Sequence, residues 1–136
     1  MITTASDSTP PLGRQWARLF FWTGVITVLS GLQFVLPVPA LRLLGIDITD
    51  PAGMFYARHW ALMAACFGAL LISASRHASG RGAIVLAAAA EKGGVALLIA
   101  LAWNDPTLKG LHGAAMFDGL SAAAYLAWLW LQRGKH

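Results

Sequence analysis

An all-α fold, a four-transmembrane-helix antiparallel bundle with a short interfacial segment after the first helix, is predicted by three observations. The chain of 136 residues is 57% hydrophobic and only 12% charged, with a positive mean hydropathy of +0.62. That composition belongs to membrane spans. Apolar runs of about 20 residues recur four times, each long enough to cross ~30 Å of hydrocarbon at ~1.5 Å per helical residue. They exceed strand length and lack two-residue alternation. The joints between them are short, so neighbouring helices must run antiparallel and pack side by side.

The elements follow in order. Residues 1–14 open with Thr3, Thr4, Ser6, Asp7, Ser8 and Thr9, then Pro10-Pro11, and read as a disordered polar tail ahead of a membrane domain over 15–132. A cleavable signal peptide would place its apolar core earlier and follow it with a small-residue cleavage site. The first span is expected over about 16–36, stopped by Pro37 and Pro39. Leu41, Leu43, Leu44 and Ile46 then suit a short helix lying in the interface and ended by Gly45. Asp50-Pro51 carries the signature of a helix start, with Asp50 as N-cap and Pro51 in the first turn. The second span covers about 53–75, and a basic turn around Arg76, Gly80 and Arg81 follows. The third covers 83–103, ended by Asn104-Asp105-Pro106, and the fourth 111–131.

Charge outside the spans sets orientation. Arg14, Arg18, Arg76, Arg81, Arg133 and Lys135 gather on one side, while Arg42 and Lys109 fall on the other. The excess predicts that both termini are cytoplasmic. Trp16, Trp22, Trp103, Trp128 and Trp130 lie towards span ends, at headgroup level. The net charge of +4 is spread over separate turns with no basic face, so nucleic acid is not an expected partner. The single cysteine, Cys66, excludes an internal disulfide or a thiolate cluster and reads as a packing residue.

Charged side chains inside the spans are costly in lipid, and they mark the candidate site. Arg58 and His59 stand in the second span, Glu91 and Lys92 in the third, Asp118 in the fourth. Counting from the outer face places Arg58 and His59 roughly 6 to 8 Å deep, Asp118 roughly 10 Å and Glu91 roughly 18 Å. Antiparallel threading thus converges them in the outer half of the bilayer. The expected arrangement has Arg58 tethering Asp118 while His59 and Glu91 line a cavity, with Gln33, Trp60 and Tyr56 as further ligand contacts. Glu91, Asp118 and His59 are the candidate catalytic residues, since a carboxyl and an imidazole in a dry site suit acid–base work. The bland alternative is that the charges only fix helix register. Small residues, Ala57, Ala61, Ala64, Ala65 and Gly68, then Gly119, Ala122 and Ala123, permit close helix approach. Gly93-Gly94 leaves room for a ligand or simply for tight packing.

His59, Glu91 and Asp118 lack the local spacing of a metal site, and His112 lies too near the outer interface to share a haem with His59. No metal or cofactor is expected. A Walker loop, dinucleotide fingerprint, HExxH and nucleophile elbow are all absent from the sequence.

A first helix ending in Pro, the LRLLGI segment at Leu41 to Ile46, Asp50-Pro51 and an Arg-bearing helix rich in Ala and Gly together resemble the DoxX-like group of small bacterial four-helix membrane proteins. The resemblance covers about residues 31–71, and only the Arg58 position carries over. It implies a bacterial inner membrane, and a likeness to subunits associated with quinone-linked redox chemistry. Two functions are therefore expected. In one, the pocket binds a small lipophilic molecule and performs isomerase, cyclase or epoxide-opening chemistry. In the other, the chain is a non-enzymatic accessory subunit or small carrier, with a second copy or another membrane protein as partner.

Overall fold

The computed structural model describes residues 13 to 134. The expected polar tail lies, but for its last two positions, outside the described residues. Helix α1 (Arg14–Ser30) runs through a 3₁₀ turn (Gly31–Phe34) to the short α2 (Pro37–Leu43), and α3 (Pro51–Arg76) returns. Helices α4 (Arg81–Leu101) and α5 (His112–Arg133) form a second hairpin, joined through a 3₁₀ turn at Pro106–Leu111. Four segments, Arg14–Phe34, Pro51–Arg76, Arg81–Leu101 and Pro106–Arg133, are long and apolar enough to cross a membrane. The all-α four-helix bundle is as expected, with the bounds of these segments displaced by one to five residues.

Local chemistry explains the ends. Pro37 begins α2 rather than merely stopping α1, because a proline lacks the N–H that a first helical residue would leave unpaired. At its other end the N–H groups of Gly45 and Ile46 bond to the carbonyls of Arg42 and Leu41, both at 2.9 Å. This is a Schellman closure, and Gly45 accepts its required φ of 66° without a side-chain penalty. Asp50 caps α3 by accepting a hydrogen bond from Gly53 N–H at 2.6 Å. Between α4 and α5, Asp105 accepts from the Thr107 hydroxyl at 2.6 Å and its N–H at 2.9 Å. Those two donors hold the Asp105 carboxyl below the usual carboxylate range.

The spans pair before they bundle. Contact is extensive between α1 and α3 and between α4 and α5, and sparser between the two pairs. Gly24 and Gly68 bring α1 and α3 together so closely that a Cβ on Gly68 would lie 2.6 Å from the Gly24 carbonyl oxygen. Gly31 meets Ala65 in the same way. Apolar side chains gain little by leaving lipid for one another, so such backbone proximity carries the association. In α4, Gly93 touches Ala122 at ordinary distance and Gly94 faces open space; the helix passes both without distortion.

At the end where the termini lie, Phe20, Leu71, Val85, Tyr125 and Trp128 join the two pairs in one core. Phe20 meets Tyr125 and Trp128 edge-on, with centroids 5.7 and 5.3 Å apart, the orientation that ring quadrupoles favour. Tyr125 donates its hydroxyl to Thr23 Oγ1, tying α5 to α1. Towards the opposite end this filling stops.

Candidate functional site

Buried positions on α4 recur at Val85, Ala88, Ala89, Lys92 and Ile99, and on α5 at Ala115, Asp118, Ser121, Ala122 and Tyr125. Both series follow the three-and-four spacing of one helix face. Lys92 and Asp118 therefore meet where the two stripes cross. Lys92 Nζ donates to Asp118 Oδ1 at 2.6 Å, and the residues are 2% and 7% exposed. The ammonium also lies 5.0 Å above the Phe117 ring, a favourable cation–π position. The tether of Asp118 is thus Lys92 on the neighbouring helix, not Arg58.

Arg58 and His59 are exposed. The inward face of α3 is set by Ala57, Ala61, Ala64 and Gly68, and each residue turns ~100° from the last. Positions 58 and 59 consequently leave that face, where His59 stacks in parallel on Phe55. Tyr56 is exposed beside them, and Cys66 lies on the exposed surface of α3 rather than in its packing. The structure does not bring Arg58, His59 or Tyr56 to the cavity that Glu91 and Asp118 line.

That cavity, of about 200 Å³, lies among all four spans. Thr27 and Ser30 of α1, Trp60 of α3, and Glu91, Lys92 and Asp118 of the second hairpin supply its polar and aromatic walls. Thr27 donates its hydroxyl to the Thr23 carbonyl at 2.7 Å and Ser30 to that of Thr27 at 2.6 Å. Their oxygens are left with lone pairs. Glu91 is half-buried, and its Oε2 is closed to solvent without a hydrogen-bond partner among the described residues.

A second chamber of about 310 Å³ adjoins the first, sharing Trp60 and Ala114 as walls. It is almost wholly apolar, built from Leu41, Leu44 and Ile46 of the α2 segment together with Val95, Leu98 and Ile99 of α4. Gln33 closes part of it and donates Nε2–H to the Ala57 carbonyl at 2.9 Å. The chamber exists because the α2 segment folds back over the end of the bundle opposite the termini. Gly110 seats that segment, since a Cβ there would collide with the Leu44 carbonyl.

Of the residues predicted from sequence, Glu91, Asp118, Trp60 and Gln33 are placed along these chambers. Thr27 and Ser30 were not anticipated, although Thr23, Thr27 and Ser30 recur at helical spacing on an otherwise apolar span. Among the described residues no three His, Cys, Asp or Glu side chains gather as a metal site. Comparison with protein-family models, with curated proteins and with solved structures returns no match for this chain.

Proposed function

We propose that this chain is a multi-pass protein of a bacterial inner membrane, with both termini cytoplasmic, that binds one small lipophilic molecule between its two helix hairpins. The observation that carries the reading is the pairing of the two chambers. One offers a charged end with an unpartnered carboxylate oxygen on Glu91; the other offers an apolar sleeve. Polar groups so few and so placed on an apolar wall are the usual makeup of a small-molecule site. An occupant entering from the bilayer would lay its polar end beside Glu91 and its tail past Trp60 and Ala114.

Chemistry at this site falls to Glu91. Lys92 and Asp118 neutralise each other, and His59 stands on another face, so Glu91 is the group with freedom to give or take a proton. Acid–base turnover of the bound molecule rests on that residue. A second reading draws on the exposed Arg58 and His59 of α3: a charge on the outer face of a span calls for a headgroup or a partner protein. The DoxX-like resemblance over residues 31–71 belongs with this accessory-subunit reading.

Native mass spectrometry of the protein released from mild detergent tests the first reading. The wild-type chain should carry one co-purified small molecule, and Ala114→Trp, which fills the waist between the chambers, should lose it. A bare wild-type chain, or a folded variant with undiminished occupancy, would contradict it. Glu91→Gln separates the readings further. Turnover of the identified molecule lost beyond any loss of occupancy favours catalysis, whereas loss confined to a protein complex favours the accessory subunit.

A further inference from the structure

The lining of the charged chamber is unbalanced in two respects, and both favour one kind of headgroup. Its ionisable groups are two carboxyls, Glu91 and Asp118, against one amine, Lys92. Its hydrogen-bonding groups lean towards acceptors: Glu91 Oε2 has no donor, while the Thr27 and Ser30 hydroxyl hydrogens are already given to backbone carbonyls. Lys92 is committed to Asp118 and to the Phe117 face. Trp60 adds a ring and a single indole N–H, which leaves the balance with the acceptors.

On the reading that these chambers bind a lipophilic molecule, we propose that its headgroup is a protonated primary or secondary amine. The ammonium would donate N–H to Glu91 Oε2, with the Ser30 and Thr27 oxygens within the same chamber, and would balance the ionisable groups that line the chamber. Uncompensated charge in a span is costly, so neutrality is a strong selector. The Trp60 ring suits a cation, because its face carries negative potential. The alkyl part then lies in the chamber of Leu41, Leu44 and Leu98. A carboxylate headgroup meets the reverse, a chamber in which carboxyls already outnumber amines and free donors are few. The charged groups around Glu91 are Lys92 on its own helix and Asp118 on α5; α1 and α3 face the chamber with Thr27, Ser30, Trp60 and Ala64, none of which titrates.

The test titrates radiolabelled decylamine, decanol and decanoate onto wild-type protein in phosphatidylcholine nanodiscs at neutral pH, with empty nanodiscs subtracted. Decylamine should saturate at one per chain and bind at least about ten-fold tighter than decanol, while decanoate shows no saturable binding. Glu91→Gln, checked for folding by its melting transition, should bring decylamine to the decanol level and leave decanol itself within about two-fold. Decanol or decanoate binding as tightly as decylamine would overturn the amine headgroup alone. Saturable binding by none of the three would overturn the binding site as well. A folded Glu91→Gln protein that keeps its preference for decylamine would also overturn the proposal, and should that variant not fold, the headgroup series on wild-type protein decides the matter.

Discussion

Lys92 and Asp118 hold opposite charges 2.6 Å apart in surroundings nearly closed to solvent, so each depends on the other. Removing one leaves a buried charge without compensation, which typically costs about 3–5 kcal/mol. Lys92→Met should destabilise on that scale in a reversible detergent unfolding assay, and Asp118→Leu by less, since Glu91 remains in the same chamber as Lys92. The double variant should recover most of the loss, because both members of the pair are removed together and replaced by apolar side chains of similar volume; a double variant as unstable as the sum would mean that the two residues are uncoupled and would contradict their mutual dependence. Tyr125→Phe should lose about 1 kcal/mol with its hydrogen bond to Thr23. The presence of intramembrane charge was plain in the sequence, but its pairing was not. Depth along the axis suggested Arg58 for Asp118, whereas rotation about the axis decides it. The series Val85, Ala88, Ala89 and Lys92 held that rotational information, and Ala57, Ala61 and Ala64 held the matching sign that Arg58 turns away.

Helices α1 and α3 form the tighter hairpin because glycine backbones touch there. Gly68→Ala forces a methyl against the Gly24 carbonyl and the Val28 N–H, both 2.6 Å from the ideal Cβ, and overpacking of this kind costs about 1–3 kcal/mol. Gly94→Ala meets nothing within 4 Å and should be neutral or stabilising by up to about 1 kcal/mol through helix propensity. The unfolding assay distinguishes the two, and equal losses would contradict the packing described. Span number, the Asp50-Pro51 start and the Gly45 stop were all legible in sequence, since each rests on local chemistry. The partnership of spans was not. Gly24 with Gly68 is a contact between segments whose small residues had many candidate partners, and Gly93-Gly94, the more conspicuous pair, faces ordinary packing and open space.

The described residues form two hairpins joined by an aromatic core at the terminal end and parted at the other, where the α2 segment and the Pro106–Leu111 turn wall the apolar chamber. The proposed orientation rests on loop charge: Arg14, Arg18, Arg76, Arg81 and Arg133 lie towards one face, Arg42 and Lys109 towards the other. In a Cys66→Ser background, Lys109→Cys should react with a membrane-impermeant maleimide from outside intact cells, and Arg133→Cys should react only after lysis. The reverse pattern would invert the chain and place the chambers in the inner leaflet. The claim on which the function rests is tested most directly by an experimental electron-density map of the wild-type protein crystallised from a lipid mesophase. The predicted map has Lys92 on Asp118 and elongated density running from Glu91 past Trp60 and Ala114 into the apolar chamber. Helices closed against each other there, with Lys92 turned outward, would contradict it.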